Sequence, residues 1–235
     1  MSGAATPPAA VPDGLWLAID TASRTSVVAL GRHEPRATSL RVVRHRHGSF
    51  LLEQVDEVLE AAGAAMAEVT ALVVGTGPGS FTGLRVGLAT VKTVAYAAGL
   101  PLVGVRSSDA LRRAAGVAAG APPEVVIVLA AGARDHYLVR EGEDPALVPP
   151  GGLVAALAGL PALTVDLDDA PLGEAAARLG EAAVAGLPAA LLALAAERLA
   201  ISETDEPATL VPAYVVLPRG VLRGAEEMGW SPDLR

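Results

Sequence analysis

The stretch Ala71-Leu-Val-Val-Gly-Thr-Gly-Pro-Gly-Ser-Phe-Thr-Gly-Leu-Arg-Val-Gly-Leu-Ala-Thr-Val-Lys-Thr-Val-Ala-Tyr-Ala-Ala98 decides the fold. Leu72 to Val74 is a short, apolar, β-branched run and reads as a buried strand. Gly75, Gly77, Pro78 and Gly79 interrupt regular structure. From Thr82 onward Leu84, Leu88, Val91, Ala95 and Ala98 recur at helical spacing. A strand, a glycine turn and a helix start leave backbone N–H groups pointing outward, where they can hold an anion or a carbonyl.

Two common phosphate loops do not fit this stretch. A Walker loop needs Gly-Lys-Ser/Thr at its end, and the nearest lysine is Lys92, well inside the helix. The dinucleotide fingerprint Gly-x-Gly-x-x-Gly ends on Ser80 or Thr82 here, depending on where it starts. Gly83, Gly87, Thr90 and Val94 form a stripe of small residues beside the Leu84/Leu88/Val91 stripe. A helix apolar on two faces is usually covered on both. One cover is the sheet; the other is more core or a second subunit.

Outward from this centre, Leu15 to Asp20 reads as a strand ending on an acid, and Thr21 to Ser26 as a turn. Val27 to Leu30 reads as a second strand in a hairpin with the first. Gly31 to Ser39 reads as a loop and Leu40 to His45 as a third strand. Ser49 reads as a helix N-cap, Leu51 to Ala62 as its helix and Gly63 as the stop. Leu102 to Val105 is a strand, and Ser107 or Ser108 caps a helix to about Ala119. The order of three strands, then helix, strand, helix, strand, helix, is ribonuclease-H-like, and is the repeated unit of the actin and sugar-kinase superfamily. In the second half, Glu124 to Ala130 and Tyr137 to Arg140 read as paired strands, and Pro145 to Gly159 as loop or short helix. Leu163 to Asp166 reads as a strand, Leu172 to Leu179 and Ala189 to Ala200 as two helices, and Pro207 to Pro218 as an extended tail.

The 235 residues carry a net charge of −8, with 51% hydrophobic and 3% aromatic residues and no cysteine. Phosphate contact needs clustered Lys/Arg, so an acidic chain is poorly suited to hold nucleic acid by itself. Cysteine chemistry of every kind is excluded, which is compatible with the cytoplasm. Residues 1–14 lack the pattern of a signal peptide and read as a disordered lead. No transmembrane helix is expected.

The run Gly75-Thr-Gly-Pro-Gly-Ser-Phe-Thr-Gly-Leu-Arg-Val-Gly87 resembles the signature of the bacterial TsaB family, also called YeaZ. Leu17-Ala-Ile-Asp-Thr-Ala-Ser23, His47-Gly-Ser-Phe-Leu-Leu52 and Pro101-Leu-Val-Gly-Val-Arg-Ser-Ser-Asp-Ala-Leu111 fit the same family in the same order. The likeness is dense from about Leu15 to Leu111 and thin afterwards. It implies an α/β ribonuclease-H-like, actin–sugar-kinase fold of two lobes, 15–120 and a smaller, degenerate 121–235. It also implies a non-catalytic subunit in making threonylcarbamoyladenosine at adenosine 37 of tRNA. The partners implied are a TsaD-type transferase and a TsaE-type ATPase, with a homodimer in isolation and tRNA met only through the complex. The interface expected is Leu51, Leu52, Val55 and Leu59 on the first helix and Gly83, Val86, Gly87, Thr90 and Val94 on the second. The loop Gly75, Gly77, Pro78, Gly79, Ser80, Phe81, Thr82, Gly83 and Arg85 would set its geometry. Ala131-Gly-Ala-Arg-Asp-His-Tyr137 sits where the family tends to carry an Asp-Ala-Arg run leading to a Val-Tyr pair, and Gly132 stands in place of that aspartate.

Other chemistry reads weakly. Asp20 with Glu53 is an incomplete nuclease set, because two-metal hydrolysis needs more converging carboxylates. Asp20 and Thr21 resemble the first phosphate turn of sugar kinases, so weak ATP/ADP binding, with magnesium in the partner complex, is a candidate property. A weak ATPase or phosphotransferase is the alternative function. The bland reading of Asp20 is a turn acid capping its own hairpin. No metal site of the chain's own is expected: His33, His45, His47 and His136 show no helical pairing, and Arg44 and Arg46 flank His45. The TsaD-type His-x-x-x-His motif is absent. Ser80 and Thr82 read as helix caps rather than nucleophiles.

Overall fold

The computed structural model describes residues 13–43, 47–132 and 134–213. The expected disordered lead, apart from residues 13 and 14, the basic strand end at 44–46 and the tail from 214 lie outside the described residues.

The first sheet contains β1 (Leu15–Asp20), β2 (Thr25–Gly31), β3 (Pro35–Val42), β4 (Val69–Gly75) and β5 (Leu102–Val105) in the order β3-β2-β1-β4-β5. The hairpin strands are antiparallel, while β4 and β5 add in parallel beside β1. Successive residues of a strand face opposite sides, and here both sides are apolar. Leu17, Ile19, Val28, Leu30, Leu72 and Val74 face α1 (His47–Ala62) and α2 (Phe81–Ala98). Trp16, Ala18, Val27, Ala29, Ala71 and Val73 face α3 (Ser107–Ala119) and α5 (Glu174–Ala200).

The second sheet repeats the plan with one strand fewer. It contains β6 (Val126–Ala131), β7 (Asp135–Val139), β8 (Ala146–Val148) and β9 (Ala162–Val165), ordered β8-β7-β6-β9, again an antiparallel meander plus one parallel strand. In chain order the short α4 (Leu153–Leu157) follows the meander as α1 does in the first sheet, and α5 follows the parallel strand as α2 does, but α4 and α5 pack on opposite faces of the second sheet. The fold is the two-lobed ribonuclease-H-like one that the element order implies. The two sheets share one core: Val125, Ile127, Leu129 and Leu163 join the cluster that contains Trp16 and α5's Leu187 and Leu191.

Several expectations change. β3 begins at Pro35, not Leu40, because β2 offers pairing as far as Gly31 opposite Pro35. As an edge strand it alternates only between partial burial and exposure, so its pattern is faint. α1 begins at His47, which puts Ser49 inside the helix. The two helices expected around Pro188 are one 27-residue helix. Proline inside a helix costs about 3 kcal/mol. Ala183, Leu187, Ala190, Leu191, Leu192 and Ala195 around it are all buried, and at roughly 25 cal/mol per Å² that burial outweighs the proline. By length and composition α5 could cross a bilayer, but here it lies across the first sheet.

Because one core spans both sheets, Leu187→Ala should lower stability by about 2–5 kcal/mol and leave one cooperative transition. Urea unfolding, with hydrogen exchange read at both β1 and β6, checks this; separate transitions for the two strands would mean separate folding units.

Candidate functional site

β1, β4 and β5 run parallel and end on the same edge of the sheet, so Asp20, Gly75 and Val105 finish together. Three segments meet there: the turn after Asp20, the glycine loop and the start of α3. Asp20 is buried, with 1% of its surface exposed. Its Oδ1 accepts from the Ala22 N–H at 2.8 Å and its Oδ2 from the Ser107 hydroxyl at 2.5 Å. Ser107 Oγ in turn accepts from the Gly77 N–H at 3.0 Å. One carboxylate therefore ties its own turn, as the bland reading expects, and reaches the loop through Ser107. The latter begins α3 without capping it. Burial pushes the Asp20 carboxyl above its ordinary 3.8, against the pull of its two hydrogen bonds.

The start of α2 is seated on the same turn. Ser80 caps it, accepting from the Gly83 N–H at 3.2 Å, while Thr82 is exposed on the first turn. The Ser80 N–H donates to the Ala22 carbonyl at 2.7 Å, so of the two ligands the pattern allows, a carbonyl of the chain itself is the one held. The Thr21 hydroxyl donates to the Gly83 carbonyl at 2.7 Å. The glycines follow from this seating. A Cβ on Gly79 would lie 2.1 Å from the Ala22 oxygen. On Gly83 it would lie 2.0 Å from the Thr21 oxygen, on Gly87 2.3 Å from Thr21 Oγ1, and on Gly75 1.8 Å from Asp20 Oδ2. The Gly77–Pro78 peptide is cis, and the Arg85 guanidinium lies over the Phe81 ring, 5.4 Å from its centre.

This geometry places the site residues read from the sequence. Asp20 and Thr21, the candidate nucleotide contacts, are buried and bonded within the joint. Glu53 stays exposed beside Arg41 on α1 and does not join Asp20. Among the described residues no metal-binding cluster of acids and histidines forms. Of the expected interface residues, Gly83 and Gly87 are consumed by the packing on Thr21. Leu51, Val55 and Leu59 point into the chain's own core. Val86, Thr90 and Val94 are half-buried, and Leu52 is 59% exposed. The outer face of these helices also presents Phe50 on α1 and Arg85, Ala89, Thr93 and Tyr96 on α2. The missed elements were the Ala22 carbonyl, which no side-chain pattern can announce, and Ser107, whose hydroxyl read as a cap.

An uncharacterized protein of Mycobacterium tuberculosis is 35% identical over 208 residues, covering 86% of this chain and 92% of its own length. The YeaZ structure from Pseudomonas aeruginosa aligns over 86% of this chain and all of its own, at 26% identity and a TM-score of 0.63. The chain belongs to the TsaB/YeaZ family. The tRNA threonylcarbamoyladenosine biosynthesis protein TsaB of Escherichia coli is 36% identical over 89 residues, 38% of each chain. A family model described as TsaD, tRNA N6-adenosine threonylcarbamoyltransferase, matches residues 41–147. In this TsaB/YeaZ protein the signature Gly75–Gly87 is thus the joint between β1's turn and α2.

Gly83→Ala should destabilise by about 1–3 kcal/mol through overpacking, although alanine is favoured over glycine in a helix by about 1 kcal/mol; urea unfolding measures the sign. The Asp20 proton gives a second test. The unfolded chain releases it near 3.8 and the folded chain holds it to higher pH, so stability falls as pH rises through that window. Asp20→Asn removes this slope, and the stability of the unaltered chain relative to the variant should fall from about pH 4 upward. A flat difference would mean that Asp20 ionises normally.

Proposed function

We propose that this protein is a non-catalytic subunit of the cytoplasmic machinery that makes threonylcarbamoyladenosine at adenosine 37 of tRNA. It pairs through the α1/α2 face with a TsaD-type transferase, which carries out the transfer, and a TsaE-type ATPase acts on that pair. The observation that carries the reading is the signature joint, in a chain whose named relatives are tRNA threonylcarbamoyladenosine biosynthesis proteins. The outer face of α1 and α2 supports it: apolar Phe50, Leu52 and Tyr96 stand exposed around half-buried Val86, Thr90 and Val94. Such a face suits a partner's helices. In isolation the same face covers itself in a symmetric dimer. The acidic charge of the chain, −8, agrees with tRNA being held by another subunit.

The reading fails if a reconstituted mixture of the transferase, the adenylate-forming enzyme and the ATPase modifies tRNA equally well without this chain. Product only in its presence, with no nucleotide turnover by the chain alone, supports it. Leu52→Glu and Thr90→Glu should each weaken pairing about tenfold or more, by placing a charge in an apolar contact. Val154→Glu, at an exposed position on the second lobe, should leave pairing unchanged. Sedimentation and the transfer assay read both.

A further inference from the structure

Residues 203–213 follow α5 back to the open side of β5 and run along it without forming a regular strand. The Asp205 N–H donates to the Leu102 carbonyl at 2.7 Å, making a single antiparallel bridge. Asp205 Oδ2 accepts from the outward N–H of Gly104, also at 2.7 Å. Arg198, in the last turn of α5, closes the arrangement. Its guanidinium donates to the Gly104 carbonyl at 2.5 Å, to Asp205 at 2.8 Å and to Glu203 at 2.7 Å. A turn then lifts the chain at Pro207, where the Thr209 and Leu210 N–H groups bond to the Glu206 carbonyl; Pro is the favoured residue after the first of such a turn. Leu210 drops its side chain over Gly104, and Lys92 of α2 donates to its carbonyl at 3.0 Å. Finally the Ala213 N–H donates to the carbonyl of Thr76, the residue that opens the glycine loop, at 2.8 Å.

An edge strand's unpaired groups invite pairing with another chain, and this segment satisfies those of β5 with polar contacts. Among the described residues, its apolar side chain packed on the sheet's core is Leu210, whereas the sheet beneath is held by that core continuously. Segments with few buried apolar contacts open at the low end of a protein's range of local stabilities. We propose that residues 203–213 are a releasable strap that positions the signature loop: clamped by Arg198 and Asp205, it holds Thr76 in place and masks the β5 edge, and its release loosens the loop and α2's flank together. The strap touches β5, α2 and the loop at once, so it is a place where a partner or modification could act on the α1/α2 face without touching it.

Hydrogen exchange of the full-length protein tests this. Arg198→Met keeps the apolar stem and removes the clamp. Exchange in 203–213 should quicken about tenfold, the size expected for losing a charge-assisted hydrogen bond. The amides of Thr76, Gly77, Gly79 and Ser80 should quicken with it, while those of β6, 126–131, stay unchanged. Arg198→Lys should fall between, keeping the charge without the fork. Lys92→Met, which cuts a different tie and leaves α5 intact, should loosen the same two segments if Arg198→Met fails to fold. The proposal is overturned if the strap quickens and the loop does not, if β6 quickens equally, or if neither the strap nor the loop responds.

Discussion

The bond from the Ser80 N–H to the Ala22 carbonyl is the contact on which the rest of this structure depends. It brings the start of α2 against the backbone of β1's turn, closer than any side chain would allow. Everything around it follows from that closeness. Four glycines stand where a Cβ would meet Asp20, Thr21 or Ala22, and a buried carboxylate accepts from the turn and from Ser107 of α3, which in turn accepts from the loop. A helix N-terminus is usually read as a place for an anion. Here the chain supplies its own oxygen, and the strand–glycine–helix motif serves as a joint that fixes how α2 leaves the sheet.

The direction of α2 matters because α2 and α1 are the outer layer on one face of the first sheet, while α3 and α5 fill the other. The two layers are unequal. α5 crosses the first sheet and continues over the second, where Gly180 lies against the Thr164 backbone, so the inner layer belongs to both lobes. Polar ties reinforce it: the Arg24 N–H donates to Asp166 Oδ2 at 2.6 Å, and Arg112 donates to the Val139 carbonyl at 3.3 Å. The Arg24 side chain also pairs with Asp168, but both are well exposed, so that pair contributes about 0–1 kcal/mol. The inner layer thus ties the two sheets together, while α1 and α2 cover the other face of the first sheet.

The edges of the first sheet are handled differently. β5 is covered by the segment after α5, whose Asp205 and Arg198 satisfy the outward groups of Gly104. β3 lies at the other edge, with charged Arg36 and Arg41 and exposed Val42; charge along an edge strand is a common way to discourage pairing. The covered edge adjoins the joint and the β3 edge lies across the sheet from it. The polar cover at β5 is thereby continuous, through Thr76, with the loop that seats α2.

The sequence by itself determined the type and order of the elements of the first sheet and of the helices between its strands. Apolar period two and period 3.6 are local properties, and β1, β5 and the body of α2 fall where their patterns put them. It also marked the glycine loop as the centre, because a run of glycines before a helix is improbable without a close approach. Tertiary structure alone decided what makes that approach: a backbone carbonyl from fifty-odd residues away carries no side-chain signature. It decided that Leu51, Val55 and Leu59 serve the chain's own core, because helical spacing identifies an apolar face but not what covers it. It decided that α5 runs through Pro188, because packing against both sheets outweighs a local helix breaker. And it decided that the acidic segment after α5 closes the β5 edge, because its contacts lie between residues a hundred positions apart.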